Sequence, residues 1–83
     1  MKTIIFKASA AKELDALPQD VQDRLIAAMT TYAISGIGDV MALKGSENFR
    51  LRVGRYRVIF GENPTIILAI QIGKRDSSTY RRS

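Results

Sequence analysis

Four arginines fall within twelve residues of this chain, in the segment F-R-L-R-V-G-R-Y-R-V-I-F at positions 49–60. Apolar side chains separate most of them, an alternation typical of strands with one buried face. Arg50, Arg52 and Arg57 carry planar guanidinium groups, and each such group can bind two oxygens of a phosphate at once. The residue types of this segment therefore suit the binding of a phosphate-like anion.

A β-hairpin is predicted here, because Gly54-Arg55 can form a two-residue loop with glycine at the first central position of a type II′ turn. This loop sets the register, so that Arg52 lies opposite Arg57 and Arg50 lies opposite Ile59 on one face. Like charges directly opposite each other destabilise a sheet by up to about 1 kcal/mol. Three arginines on one face, with no acid between them, indicate an anion site. The alternative is an exposed face whose charge prevents edge pairing.

A second basic cluster, I-G-K-R-D-S-S-T-Y-R-R-S, occupies positions 72–83. Lys74 and Arg75 directly follow an apolar run, and Tyr80 adds an aromatic ring nearby. Arginine with an aromatic ring is a combination that binds single-stranded RNA, through phosphate contacts and base stacking. Taken alone, the cluster is equally consistent with a basic tail.

The bulk composition limits the chemistry. The 83 residues contain no histidine and no cysteine, which excludes thiolate catalysis and the commonest general base and metal ligand. Residues 1–43 carry four basic and five acidic side chains, whereas residues 44–83 carry nine and three. This asymmetry favours a polyanionic partner, nucleic acid or an acidic protein. No apolar run is long enough to cross a membrane and no signal peptide is evident, so a cytoplasmic location is expected.

The elements that must position these residues form one predicted domain over positions 1–83. A strand at Thr3–Phe6 precedes two helices, near 10–17 and 18–35, with Ser9 as the expected N-cap of the first. A connection at Gly36–Asn48 leads into three strands. Their predicted ranges are Phe49–Val53, Tyr56–Phe60 and Thr65–Ile72, the last apolar enough for burial on both faces. The predicted fold class is α+β: a small antiparallel sheet with a mixed edge and a two-helix hairpin on one face.

Four segments, in order, resemble the RelE/ParE superfamily of toxins from bacterial type II toxin–antitoxin systems. The opening I-I-F-K-A-S-A-A-K-E-L-D-A-L-P resembles the first strand and helix of these proteins, and L-K-G at Leu43–Gly45 resembles the turn before their sheet. The arginine-rich hairpin and I-G-K-R-x-x-x-x-Y, ending at Tyr80, resemble their central and closing motifs. The similarity covers almost the whole chain and is closer to the RelE branch.

This resemblance implies a ribosome-dependent mRNA endonuclease that uses neither a metal nor an organic cofactor. The ribose 2′-hydroxyl would attack the adjacent phosphate and leave a 2′,3′-cyclic phosphate and a 5′-hydroxyl. Arg50, Arg52 and Arg57 would surround that phosphate, Arg75 would lie near the leaving oxygen, and Tyr80 would orient the nucleotide or transfer a proton. The further expected RNA-binding residues are Lys44, Arg55, Lys74, Arg81 and Arg82.

Two departures from the family pattern bear on the mechanism. The nuclease pattern has lysines where Arg50 and Arg52 stand, and arginine does not give up its proton in proteins, so these two residues can stabilise charge but are poor bases. This leaves Tyr80 as the candidate base. The chain also stops three residues after Tyr80, so the C-terminal helix of longer relatives is expected to be missing.

The resemblance also leaves other functions open. The ParE branch inhibits DNA gyrase without catalysis, and the same basic surface would serve that role. A basic module without activity is the third possibility. In each case a cognate antitoxin protein is the expected partner, joined by the ribosome and mRNA for a nuclease or by gyrase for the alternative.

Overall fold

A computed structural model describes residues 1–74 of the chain. Five strands and two helices follow one another in this region. In chain order they are β1 (Thr3–Phe6), α1 (Ala8–Asp15), α2 (Gln19–Ser35), β2 (Val40–Ala42), β3 (Phe49–Val53), β4 (Tyr56–Glu62) and β5 (Ile66–Lys74). The strands form one sheet of order β1-β5-β4-β3-β2. The β1 strand is parallel to β5 and all other pairs are antiparallel, which confirms the predicted α+β class with a mixed edge.

Both helices pack on one face of this sheet. Val21, Leu25, Met29 and Ala33 recur every four residues along α2, and all are buried. They meet strand residues that alternate toward the helices, because successive side chains of a strand point to opposite faces. The buried strand residues are Leu51, Val58, Phe60, Ile67, Ala69 and Ile72. The core therefore lies between the helices and the sheet, and the other face of the sheet is left for a site.

The start of α1 differs from the prediction. The helix begins at Ala8 with Lys7 as its N-cap, and no side chain caps it. The Ser9 hydroxyl lies inside the first turn and donates a hydrogen bond of 3.4 Å to the carbonyl of Ile70. Ser9 thus joins the helix to β5 instead of capping it.

The arginine-rich hairpin has the predicted register. Val53 pairs with Tyr56, Arg52 with Arg57, and the remaining pairs follow in step. Gly54 has φ of 58°, and no non-glycine residue in the described chain has a positive φ. A positive φ at only the first central residue fits a type II′ turn. The turn chemistry therefore sets the face on which every arginine of the hairpin lies.

The connection before the hairpin contains a strand that the sequence pattern did not predict. Val40–Ala42 forms β2 at the edge of the sheet, with Val40 opposite Leu51 and Met41 opposite Arg50. The main-chain N–H of Arg52 also donates to the carbonyl of Asp39 at 2.9 Å. This ladder brings Asp39 and Met41 beside the arginines of β3.

The β5 strand is apolar on both faces, but the helices cover only one of them. Ile66, Leu68 and Ile70 lie on the other face and help line a cavity of about 410 Å³, together with Ile5 and Gly61. Burial of β5 on both faces is thus not found within residues 1–74. Neither helix of the described chain has the length and apolar character that a membrane crossing requires.

Candidate phosphate-binding face of the sheet

Three arginines lie on the face of the sheet that points away from the helices, here called the arginine face. Arg50 and Arg52 come from β3 and Arg57 from β4. Arg52 and Arg57 are direct cross-strand partners, and Arg50 is paired with Ile59. Their strand neighbours Leu51 and Val58 are buried against the helices. Alternation along two paired strands therefore fixes the three cations on one surface.

Asp39, the residue directly before β2, contacts this face. The Asp39 carboxylate Oδ2 lies 2.8 Å from Nε of Arg52, and the two side chains are 56% and 47% exposed. Ion pairs this exposed contribute little to stability, about 0–1 kcal/mol. The contact is made through Nε and orients the guanidinium group of Arg52. The hairpin itself has no acid between its arginines, as the sequence shows, and the acid that contacts Arg52 comes from the residue before the neighbouring strand β2.

Arg50 is held in a different way. Its Nε is buried and has no hydrogen-bond partner in the described structure. Its Nη2 lies 3.5 Å from the sulfur of Met41, and a thioether is only a weak acceptor. A buried N–H without a partner costs about 1–3 kcal/mol. Arg50 therefore keeps hydrogen-bonding capacity that an oxygen-rich anion could use after a small rotation of the side chain.

Next to Arg57 the sheet surface is open. Gly73 of β5 is the cross-strand partner of Arg57, and a Cβ placed on Gly73 would meet nothing within 4 Å. Across the sheet the order is thus Asp39, Arg52, Arg57 and Gly73. The Asp39 carboxylate lies at the β2 side of this row. At the β5 side, Gly73 has no side chain. An anion therefore has room to approach the arginine face from the β5 side.

The other predicted RNA-binding residues divide between the two ends of the sheet. Arg55 lies in the hairpin turn, and Lys74 is paired with Tyr56 at the same end as Arg52 and Arg57. Lys44 follows β2 in the turn near Asn48, at the opposite end of β3. The structure therefore places Arg55 and Lys74 at the hairpin end of the sheet, and Lys44 at the other end. Alternation along β5 puts Lys74 on the helix side with Ile72, not on the arginine face. The remaining predicted residues, Arg75, Tyr80, Arg81 and Arg82, lie outside the described residues.

One basic residue near the hairpin was not predicted. Arg24 of α2 extends its guanidinium toward the turn, where a Cβ on Gly54 would lie 2.8 Å from its Nη2. Its neighbours Asp20 and Asp23 gave it the pattern of an ordinary exposed helix position. Only the packing of α2 across the sheet brings Arg24 to the end that carries Arg55.

The titratable groups on the helix side form structural contacts. The Tyr32 hydroxyl donates to Oε1 of Glu62 at 2.8 Å, and Lys2 Nζ lies 2.9 Å from Oε2 of the same carboxylate. Burial, together with this hydrogen bond and the charge of Glu62, raises the pKa of Tyr32 to about 12. Glu13 accepts a hydrogen bond of 2.8 Å from the main-chain N–H of Ile72. Tyr32 is therefore a poor proton acceptor near neutral pH.

The arrangement can bind and stabilise negative charge without a metal ion. Within residues 1–74 the acidic side chains form no group of three or more that could hold one. Arg52 and Arg57 lie directly opposite each other, and Arg50 follows two residue pairs along β3. Together these three cations can neutralise several phosphate oxygens. Charge-assisted hydrogen bonds of this kind are about twice as strong as neutral ones.

Neither models of protein families nor curated protein sequences show a significant match to the chain. Solved structures do match. The isolated RelE toxin of E. coli has a TM-score of 0.78 at 17% identity, with 99% of this chain and 98% of that chain covered. The RelE–RelB complex of Pyrococcus horikoshii gives 0.75 at 23% identity, with 89% and 94% covered. The RelB–RelE antitoxin–toxin complex of Methanococcus jannaschii gives 0.72 at 23%, with 94% and 96% covered. These similarities show that the chain has the RelE fold, as its sequence motifs predicted.

Proposed function

We propose that this chain, which has the RelE fold, is the toxin of a type II toxin–antitoxin system and cleaves mRNA in the ribosome. The observation that carries the proposal is the apposition of Arg52 and Arg57 on an open sheet face. Like charges in this position cost stability, and a bound phosphate would offset that cost. A fold alone does not determine an activity, so the proposal depends on this site and on the resemblance of the hairpin and closing motifs.

The proposed reaction is attack by a ribose 2′-hydroxyl on the adjacent phosphodiester. Negative charge on the phosphate oxygens increases as the phosphorus becomes pentacoordinate. Cations fixed before the reaction begins stabilise this charge without reorganisation, which is the largest contribution in many enzymes. Arg52 and Arg57 would bind the phosphate between them, and Arg50 would contribute from two residue pairs along the β3–β4 ladder.

The closing motif would complete this site. By the resemblance, Arg75 would lie near the leaving oxygen and Tyr80 would orient the nucleotide. Lys74, the last described residue, is at the end of β5 nearest the hairpin turn, and Arg75 is the next residue in the sequence. This chain position supports the proposed role of Arg75.

We propose a cognate antitoxin as the protein partner, with the ribosome and its mRNA as the target in the cytoplasm. Several similar structures are toxins in complex with their antitoxins, including the two archaeal complexes. An acidic or amphipathic antitoxin segment could cover the arginine face and exclude RNA by competition. Such a contact would carry a large electrostatic contribution.

A purified translation reaction on a defined mRNA tests the proposal. New 5′ ends are mapped by primer extension with the protein and without it. We expect cuts only where ribosomes occupy the message, at fixed positions within a codon. An intact message would contradict nuclease activity, and a DNA gyrase supercoiling assay on the same preparation would then test inhibition of gyrase.

A further inference from the structure

We infer that Asp39 is the proton acceptor for the attacking 2′-hydroxyl. This inference rests on the proposed function and assigns the base to a residue other than Tyr80, which is the candidate that the sequence motifs offer. Asp39 lies in the predicted connection before the hairpin, outside every motif that resembles the RelE/ParE proteins. Its assignment depends on the structure, which places its carboxylate in the row of Arg52 and Arg57.

Two independent contacts fix the position of Asp39. Its carbonyl accepts the main-chain N–H of Arg52 at 2.9 Å, and its carboxylate Oδ2 lies 2.8 Å from Nε of the same residue. The backbone contact extends the β2–β3 ladder by one residue beyond Val40. The backbone contact therefore places the exposed carboxylate of Asp39 at the border of the arginine face.

The other carboxylates in residues 1–74 are placed elsewhere. Glu62 is bound by Lys2 and Tyr32, and Glu13 accepts the N–H of Ile72 on the helix side. Glu47 lies in the turn at the far end of β3. Three aspartates, Asp15, Asp20 and Asp23, are on the helices. Asp39 differs from these carboxylates in that its Oδ2 contacts Nε of the site residue Arg52.

The shared guanidinium gives a geometric basis for proton transfer. Asp39 occupies Nε of Arg52, and the two terminal nitrogens can bind a phosphate oxygen at about 2.7–2.9 Å. Neighbouring strands are about 4.8 Å apart, so a phosphate between Arg52 and Arg57 lies within reach of an aspartate one strand away. The ribose bearing the 2′-hydroxyl is attached to that phosphate. Its oxygen can therefore meet the carboxylate when the phosphate is bound.

The proton and bond changes of the step balance. The Asp39 carboxylate takes the proton of the 2′-hydroxyl as the bond from the 2′-oxygen to phosphorus forms. The bond from phosphorus to the 5′-oxygen breaks, and that oxygen takes a proton from a donor or from water. The resulting carboxylic acid returns its proton to solvent. No oxidant, metal or further reactant is consumed.

The test compares Asp39→Asn with the parent protein. Asparagine keeps an oxygen that can accept from Arg52 Nε but cannot take a proton at neutral pH. Single-turnover cleavage is measured on programmed ribosomes, and binding is measured separately on a message with 2′-deoxynucleotides in the A-site codon, which cannot be cut. Asp39→Glu tests rescue by a carboxylate, and Glu47→Gln removes an exposed acid at the far end of β3 as a matched control.

We expect Asp39→Asn to lower the cleavage rate by about 100-fold or more, the usual contribution of a general base. Binding of the uncut message should stay within about fivefold of the parent or become tighter, because an exposed ion pair contributes little and a negative charge has been removed. Asp39→Glu should recover part of the rate, and Glu47→Gln should match the parent.

Two results would overturn the inference while the proposed function stands. In one, Asp39→Asn cleaves within about fivefold of the parent, less than general base catalysis contributes. In the other, cleavage and binding fall together, which would make Asp39 only a positioning residue for Arg52. Absence of cleavage by the parent protein would instead overturn the proposed nuclease function, and the inference with it.

Discussion

Arg52 of β3 and Arg57 of β4 are direct cross-strand partners on the face of the sheet that the helices leave uncovered. Asp39 contacts Arg52 from the β2 side, and Gly73 lies opposite Arg57 on the β5 side. The arrangement places two cations next to a surface without a side chain. Repulsion between Arg52 and Arg57 lowers the stability of the sheet, and the same two guanidinium groups can bind an anion.

Replacing either arginine should separate activity from stability. We expect Arg52→Ala and Arg57→Ala each to lower message cleavage by about 100-fold or more, the scale seen when one preorganised donor to a reacting oxyanion is removed. The free energy of unfolding should change by no more than about 1 kcal/mol, because each variant relieves the repulsion between two like charges, and the exposed ion pair of Arg52 with Asp39 contributes little. Cleavage on programmed ribosomes and urea unfolding measure the two effects.

Lys44→Ala is the matched control for these variants. It also removes one positive charge from the chain, but Lys44 lies at the opposite end of β3. We expect cleavage to stay within about fivefold of the parent, the range of a single exposed charge. Equal losses in Lys44→Ala and Arg57→Ala would show that total charge matters and that the arginine face is no specific site.

Binding of the antitoxin should weaken as salt increases. The proposed contact joins an acidic or amphipathic segment to exposed arginines, and exposed charges are screened within about 8 Å at physiological ionic strength. Titrations at several salt concentrations measure this dependence. In Arg52→Ala, the dissociation constant should change less steeply with salt concentration than in the parent protein. A dissociation constant that does not change with salt would place the main contact elsewhere, for example on the apolar cavity lined by Leu68.

Two glycine substitutions should differ in their effect on stability. Gly54 has φ of 58°, a conformation that costs an L-residue about 1–2 kcal/mol, so Gly54→Ala should destabilise the chain by that amount. The nearby Arg24 is a flexible side chain and can move aside. Gly73 has no positive φ and has open space around it. Gly73→Ala should therefore be neutral or stabilising by up to about 1 kcal/mol, through reduced entropy of the unfolded chain.

Thermal or urea unfolding of the two glycine variants provides the comparison. A similar loss in both would contradict the role of the left-handed turn at Gly54. Gly73→Ala has a further use, because its methyl group would project next to Arg57. Reduced message cleavage at unchanged stability would indicate that the substrate passes over this position.

Stability at high pH should depend on Tyr32. Burial, helped by Glu62, raises the pKa of Tyr32 to about 12, above its ordinary value near 10. The folded state therefore holds the phenolic proton more tightly than the unfolded state. This contribution is complete below about pH 10 and is lost as the pH rises through about 12.

Tyr32→Phe isolates that contribution, since Lys2 and Glu62 remain in place. We expect a loss of about 1 kcal/mol at neutral pH, the typical net value of one hydrogen bond. The difference between the parent and the variant should shrink as the pH rises from about 10 to 12. Urea unfolding across this range measures it, and a constant difference would mean that the Tyr32 hydroxyl does not titrate differently in the two states.

The sequence was sufficient for the hairpin and its arginines. Gly54-Arg55 permits only a tight turn whose geometry sets the register, and strict alternation then puts Arg50, Arg52 and Arg57 on one face. The helices were predictable because Val21 and its successors recur at the helical period. The fold class followed, since elements with one apolar face must bury it against each other.

The border of the site was decided by tertiary structure. A three-residue strand at Val40–Ala42 has no alternation long enough to recognise, and it forms only because β3 offers an edge with unpaired backbone groups. That pairing brings Asp39 to Arg52 and Met41 to Arg50. In the same way, the packing of α2 brings Arg24 to the hairpin turn. The turn after β2 places Lys44 at the end of β3 that is far from the hairpin turn. Local patterns determine which face a side chain occupies, whereas contacts between distant segments determine which side chains meet there.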